Sequence, residues 1–148
     1  MTRAKALWIC AVIANALGWA LPVIDDDNRV YRGFHAFRVA LSPFWPYEEF
    51  HLPSGYLVWL SVASALTNLL FIGMAVYLWP KVASGVARSR VAVFSLGAAA
   101  LLNLHWTFTM EDSADDLAVG YYVWVLSFVL LLLAAHPALS PRSRPSNA

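Results

Sequence analysis

The sequence has few charged residues and almost no cysteine, and each shortage excludes a class of protein. Charged residues make up 13% of the 148 positions and hydrophobic residues 60%, whereas a soluble domain typically has about 25% charged and roughly 45–50% apolar residues. The single cysteine, Cys10, excludes an intrachain disulfide, a paired-cysteine redox centre and a cysteine-built zinc site. A formal net charge of +1 offers no basic surface to nucleic acid. We therefore expect a membrane protein without a nucleic-acid partner.

Charge is missing altogether from four long apolar segments. No Asp, Glu, Lys or Arg occurs in residues 7–24, 56–79, 91–110 and 117–135. Because about 20 apolar residues are needed for a helix to cross the hydrocarbon core of a bilayer, we interpret each segment as a span. The sequence thus predicts an all-α integral membrane protein, a bundle of four transmembrane helices in one domain over residues 1–136. The Pro- and Ser-rich tail, residues 137–148, is predicted to be disordered in the cytoplasm.

The basic residues that flank these segments fall on one side of the predicted bundle. They are Arg3, Lys5, Lys81, Arg88, Arg90, Arg142 and Arg144. All 9 acidic residues fall on the other side, together with Arg29, Arg32 and Arg38. Because the cytoplasmic loops of membrane proteins are enriched in Lys and Arg, both termini are predicted to be cytoplasmic. The compact size and the composition suggest the inner membrane of a bacterium.

The first apolar segment has an alternative interpretation. A short basic start, an apolar run and the small residues Ala14 and Ala16 resemble a secretory signal sequence with its cleavage site. Cleavage there would leave three spans and place the new N-terminus outside. We favour an uncleaved span, because the apolar run continues to Ile24 before the first charged residue.

The longest connection, residues 25–55, is predicted to lie outside the cell and to contain a short interfacial helix. Phe34, Phe37 and Leu41 recur at helical spacing, and Pro43 and Pro46 would end such a helix. The helix could simply cover the outer ends of the spans. Alternatively, it could bind a partner or a lipid headgroup, since aromatic anchors are typical of recognition surfaces. The candidate interaction residues are Phe34, Phe37, Arg38, Phe44 and Trp45.

Three asparagines lie inside the predicted spans, where an unpaired amide is costly. Asn15 and Asn68 fall near the middle of their segments, so they could bond to each other, and Asn103 lies in the third segment. We predict that all three make intramembrane hydrogen bonds that hold the helices together.

His105 is the only residue well inside a predicted span whose side chain titrates near neutral pH. Ser61, Tyr121 and Tyr122 fall at about the same depth, and Asp112 follows on the same helical face, so these five residues form a candidate polar cluster. The histidine could be packed and hydrogen-bonded, could act as a gate or ligand-binding group, or could be catalytic. No second titratable partner is fixed by the sequence, so we assign no catalytic residue, and we identify no cofactor or metal site.

These patterns favour a non-enzymatic function. We expect an interaction, accessory or immunity-type component that acts through its outer loop and helix faces, in contact with the lipid bilayer and with a membrane-protein partner or a second copy. A small transporter or channel subunit, with an acidic outer vestibule and His105 as gate, is the alternative. A lipid-modifying membrane enzyme is the third possibility.

Overall fold

The computed structural model describes residues 1–26, 29–46, 55–85, 89–109 and 117–136. The elements follow the order α1 (Arg3–Ala20), β1 (Pro22–Asp26), β2 (Arg29–Arg32), α2 (Gly33–Ala40), α3 (Tyr56–Ala83), α4 (Arg90–Leu104), α5 (Trp106–Thr109) and α6 (Val119–Ala135). The described part of the chain is mostly helical, and its two strands form one small antiparallel sheet.

Successive long helices run in alternating directions. Trp8 of α1 packs on Trp79 of α3 with ring centroids 4.6 Å apart. The amide of Ser89, which caps α4, donates to the carbonyl of Ala135 at the end of α6 over 3.4 Å. We call this end of the bundle the basic end, because it carries Arg3, Lys5, Lys81 and Arg90. The opposite end, which carries β1, β2 and α2, is called the hairpin end.

Two described helical stretches are long and apolar enough to cross a membrane. They are Tyr56–Ala83, with a mean hydropathy of 1.8, and Arg90–Phe108, with a mean hydropathy of 1.5. The helix Val119–Ala135 is also apolar but shorter. Length and composition alone do not require a bilayer, because a long core helix of a soluble protein has the same properties.

The first predicted span ends earlier than expected, and a small two-stranded sheet accompanies the mostly helical fold. Helix α1 begins at Arg3, where the Thr2 hydroxyl accepts from the Lys5 amide over 3.3 Å, and it ends at Ala20 rather than Ile24. Pro22 explains the early end, because proline has no amide hydrogen and disfavours a helical residue before it. The chain continues as β1, which pairs with β2 through Ile24 opposite Tyr31.

The other predicted helices are found with shifted boundaries. The predicted interfacial helix corresponds to α2, and the segment 56–79 corresponds to α3, which continues through Pro80 to Ala83. The predicted third span corresponds to α4 and α5, which are separated only by His105, whose backbone dihedral angles stay helical. Residues 27–28, 47–54, 86–88 and 110–116 and the predicted tail 137–148 lie outside the described residues.

Glycines allow the hairpin end to close tightly. A Cβ atom on Gly33 would lie 2.2 Å from the carbonyl oxygen of Gly18, and one on Gly120 would lie 2.3 Å from that of Pro22. Real Cβ atoms do not approach backbone so closely, so the start of α2 and the start of α6 can reach α1 and β1 only through glycine. The amide of Ala118 also donates to the carbonyl of Val23 over 3.0 Å. These contacts fix the hairpin and α2 across the end of the bundle.

An apolar core fills the middle and the basic end. Phe71 of α3 and Phe128 of α6 meet edge to face with ring centroids 5.2 Å apart. Nearer the basic end, Leu78, Leu96 and Leu131 are fully buried. The helices therefore enclose one continuous apolar cluster below the hairpin end.

Candidate functional site

A cavity of about 190 Å³ lies at the hairpin end. Helix α2 covers it with Ala36, Phe37 and Val39, and β1 contributes Val23 and Ile24. Its remaining wall comes from α1, α3, α5, α6 and the bridge residue Leu117. Among the described residues that line it, none is Asp, Glu, Lys, Arg or His. The cavity is therefore an uncharged space that only a few polar side chains enter.

The polar side chains of the wall lie on one face of α3. Ser61, Ser64 and Asn68 are spaced three and four residues apart, which places them on the same side of a helix. The indole of Trp106 donates to the Ser64 hydroxyl over 2.8 Å. The indole of Trp124 donates to the Asn68 side-chain oxygen over 2.9 Å. Two tryptophans from α5 and α6 thus hold the polar face of α3 in place.

A second layer of hydrogen bonds surrounds Asn103, which is fully buried. Its side-chain amide donates to the Thr67 hydroxyl over 3.0 Å and to the carbonyl of Ala99 over 2.9 Å. Its backbone carbonyl accepts from the Tyr121 hydroxyl. Tyr121 therefore contributes its ring to the cavity wall, whereas its hydroxyl is engaged between α4 and α6.

The predicted histidine cluster is only partly brought together. Ser61 and Tyr121 both line the cavity. His105 lies in the turn between α4 and α5 and is exposed, and it does not line the cavity. Tyr122 is 51% exposed and contacts Tyr121 edge to face, with ring centroids 5.3 Å apart. Asp112 lies outside the described residues.

The predicted asparagines are all buried, but Asn15 and Asn68 do not bond to each other. Asn15 donates to the Ser127 hydroxyl of α6 over 3.2 Å. Asn68 accepts from α6 through Trp124 and donates to the carbonyl of Ala65 in its own helix. The suggested pairing was wrong because each amide bonds instead to a polar group of α6.

The candidate interaction residues divide into two groups. Phe37 points into the cavity and packs on Trp19, with ring centroids 5.1 Å apart. The guanidinium of Arg38 lies 4.4 Å from the ring centroid of Trp45. Phe34, Phe44 and Trp45 are 48%, 68% and 50% exposed. Helix α2 and the turn after it therefore present aromatic rings both inward and outward.

Ser64, Trp106 and Trp124 were missed as site residues by the sequence analysis. The spacing of Ser61, Ser64 and Asn68 on one helical face was a usable signal. No sequence pattern pairs the two tryptophans with α3, because that pairing depends on tertiary structure. Within the described residues, no group of three or more His, Cys, Asp or Glu residues could hold a metal ion.

Comparisons of the chain with known protein families, with curated proteins and with solved structures find no match.

Proposed function

We propose that the chain is a four-span integral membrane protein that acts by binding at its hairpin end, without chemistry of its own. The exposure of its apolar side chains supports this proposal most directly. Val76, Phe94 and Leu101 are 70%, 79% and 70% exposed, whereas Asn103 and Ser127 are 0% exposed. A soluble protein rarely exposes large continuous apolar surfaces. A bilayer would cover the apolar faces and favour polar contacts between helices.

The helix lengths support four spans rather than two. Helix α1 has 18 residues and α6 has 17, so at about 1.5 Å per residue each is roughly 26 Å long. The hydrocarbon core is about 30 Å thick, and flanking residues or local thinning accommodate a short helix. Both helices pack antiparallel within the same bundle as the two longer apolar helices, which favours insertion of all four.

The ends of the bundle favour one orientation. The described residues place Arg3, Lys5, Lys81 and Arg90 at the basic end, which the enrichment of cytoplasmic loops in Lys and Arg assigns to the cytoplasm. Trp8 and Trp79 stack at this end, where aromatic rings commonly mark the interface between lipid and water. The hairpin, α2 and the cavity would then face outward, and α2 would lie at the outer interface. The bacterial inner membrane remains a prediction from the sequence.

The cavity supports binding more than catalysis. Among the described residues of its wall, Tyr121 alone is titratable, and its hydroxyl donates to the backbone of Asn103. Acid–base or nucleophilic catalysis needs a titratable or activated group within reach of the reacting atom. The described wall offers hydroxyl, amide and indole groups, which position a ligand but do not activate it.

The transporter alternative gains no specific support. Below Asn68 and Trp124, the space between α3 and α6 is closed by Phe71 and Phe128, which are 2% and 0% exposed. A route through the bundle would have to displace both rings. His105, the suggested gate, lies outside the cavity wall.

Membrane insertion and orientation can be tested together. We expect the chain to stay with membranes at alkaline pH. In a Cys10→Ser background, an impermeant maleimide should label Phe44→Cys in intact cells and Thr2→Cys only after permeabilisation. Recovery of the chain as a soluble protein, or labelling of the two positions in the opposite order, would contradict the proposal.

Binding at the hairpin end can be tested by photo-crosslinking in host membranes. A benzophenone amino acid in place of Phe44 should give one discrete adduct, because this side chain is exposed beside the cavity cover. The same amino acid in place of Phe94 on α4 is the matched control and should give only diffuse lipid adducts. A protein adduct at position 44 would identify a partner, and a small-molecule adduct would identify a ligand. Identical adducts from both positions would count against a binding site at this end.

A further inference from the structure

We propose that the hairpin-end cavity binds an uncharged molecule with a single ring, or an equally compact apolar group, that presents one hydrogen-bond-accepting oxygen to the Ser64 hydroxyl. This inference rests on the proposed function, because it names the ligand class of the binding site at the outer end. Four observations carry it: the volume of the cavity, its lack of charge, its aromatic wall and the hydrogen-bonding state of Ser64.

The volume of the cavity limits the size of the ligand. It measures about 190 Å³, and an apolar protein cavity of about 150 Å³ is known to hold benzene. The space therefore fits one six-membered ring with a short substituent. A whole lipid does not fit, although the end of one could enter.

The lining residues exclude a charged ligand. None of the described residues in the wall is Asp, Glu, Lys, Arg or His. An ion placed there would lose its hydration without gaining a partner of opposite charge. The free energy lost by dehydration would be far larger than the free energy gained from contacts with this wall. The ligand is therefore neutral where it enters the cavity.

Aromatic rings form a large share of the wall. Trp19 and Phe37 lie on the side of α1 and α2, and Trp106 and Trp124 lie on the side of α5 and α6. An aromatic wall favours a flat group, because rings attract one another in offset or edge-to-face arrangements. A planar ligand gains more from this wall than a flexible chain of the same volume.

Ser64 supplies the polar contact. The side chain is buried, with 6% of the residue exposed, and its oxygen accepts from Trp106. A serine hydroxyl can also donate one hydrogen bond, and the Ser64 hydroxyl has no acceptor among the described residues. Asn68, the neighbouring polar group, accepts from the Trp124 indole and donates one of its two amide hydrogens to the carbonyl of Ala65. A carbonyl or ether oxygen of the ligand would complete the hydrogen bonding of Ser64.

This chemistry could come from a free molecule dissolved in the bilayer or from the end of a membrane lipid. Acetophenone, a ring with one ketone, represents the free molecule. The same compound with a dodecyl chain opposite the ketone represents a group carried on a lipid tail.

The test uses the full chain in phosphatidylcholine nanodiscs, with nitrogen-15 in the tryptophan indoles. The Trp106 indole resonance, identified by its loss in Trp106→Phe, reports on Ser64 because the two side chains are hydrogen-bonded. Acetophenone should shift it saturably. α-Methylstyrene, which has the same shape without the oxygen, should bind more weakly, and benzoate should not bind.

The variants distinguish the contribution of the Ser64 hydrogen bond to probe affinity from the contribution of the cavity space. Ser64→Ala should weaken acetophenone binding about threefold to tenfold, the range expected for one hydrogen bond, and leave α-methylstyrene unchanged. For this variant the Trp124 indole serves as reporter, because it also lines the cavity. Ser95→Ala on α4, outside the cavity wall, is the matched control and should change neither affinity. Ala36→Phe should abolish binding of both probes by filling the cavity.

Each result has a defined meaning. Saturable binding of the dodecyl compound assigns the ligand to a lipid end, whereas binding of acetophenone alone assigns it to a free molecule. No saturable shift in a correctly inserted chain, binding of benzoate equal to that of acetophenone, or equal effects of Ser64→Ala on both neutral probes would overturn this inference and leave the proposed membrane function standing. Failure of the chain to insert, scored separately by alkaline extraction, would overturn the proposed function and this inference with it.

Discussion

The basic end and the hairpin end differ in what occupies the space between the helices. At the basic end, the apolar side chains fill the space between the helices. Leu78, Val82 and Leu131 are at most 1% exposed and belong to the same buried apolar cluster. At the hairpin end, a cavity lies between the helices. There, hydrogen bonds from Trp106 of α5 and Trp124 of α6 join these helices to α3. The same helices thus form a filled apolar contact at one end and, at the other, a largely apolar cavity that a few polar side chains enter.

This difference indicates how a small bundle can combine stability with an internal cavity. Close packing of apolar side chains is the larger contribution to stability, and hydrogen bonds between helices add less. A cavity lacks the stabilising contacts of packed side chains, so it is tolerated best where other interactions fix the positions of the surrounding elements. At the hairpin end, the close backbone approaches at the glycines and the pairing of β1 with β2 provide those interactions. The following variants measure how far the two ends differ.

The largest effect is expected from Phe128→Ala, which tests the packed region. Phe128 is fully buried and contacts Phe71 and Trp124 edge to face. Its truncation should lower the free energy of unfolding by about 3–5 kcal/mol, measured by denaturant titration in mixed micelles. Phe94→Ala, at a position 79% exposed, is the control and should change it little. Similar losses at both positions would mean that the packed core is not what stabilises the bundle.

Gly33→Ala tests the close backbone contacts of the hairpin end. A Cβ atom here would lie 2.2 Å from the Gly18 carbonyl oxygen, so α2 must move away from α1. We expect a loss of about 1–3 kcal/mol in the free energy of unfolding, as for other overpacked sites. Gly73→Ala is the matched control, because nothing lies within 4 Å of its added Cβ and it should be neutral or stabilising by up to about 1 kcal/mol. Equal behaviour of the two variants would argue against a fixed position for α2.

Trp124→Phe removes one hydrogen bond from the wall of the cavity. The Asn68 side-chain oxygen then loses the donor 2.9 Å away and stays buried. An unsatisfied buried group costs about 1–3 kcal/mol, and we expect a decrease within that range in the same titration. Trp59→Phe, where the ring is 64% exposed, should have almost no effect and serves as the control. A neutral result for Trp124→Phe would show that the hydrogen bond contributes little to joining α3 and α6.

The smallest effect is expected for the hydrogen bond between the Asn15 side-chain amide and the Ser127 hydroxyl, which measures 3.2 Å. A double-mutant cycle with Asn15→Ala and Ser127→Ala should give a coupling energy of about 0.6 kcal/mol, the average for polar contacts between membrane helices. A coupling energy of several kcal/mol would mean that a polar contact between helices stabilises the fold as much as apolar packing does. The proposed difference in stabilisation between the two ends would then be wrong.

Much of the helical arrangement was predictable from the sequence. The spacing of Phe34 and Phe37 identified α2, and the uncharged segments identified the long helices. The hairpin was not predicted, because a short apolar run such as Val23 and Ile24 fits a helix end or a strand equally well. Pro22 was the local signal that the helix ends earlier.

The residues of the cavity were harder to predict from the sequence than the helices were. His105 was a candidate because an imidazole titrates near neutral pH, yet its side chain is exposed and does not line the cavity. The next residue, Trp106, donates to Ser64, a contact between residues 42 positions apart that no local pattern encodes. The cavity depends on such tertiary contacts, whereas the individual helices depend on local composition.

The contact between α1 and α6 has a consequence for biosynthesis. Helix α1 packs chiefly on α6, more than 95 residues later in the chain, and the hairpin is joined to the residues just before α6 through Ile24 and Leu117. During synthesis, the first helix and the hairpin must therefore wait until α6 emerges before they find these partners. A chain truncated before α6 should lack the cavity even if its earlier helices have already formed.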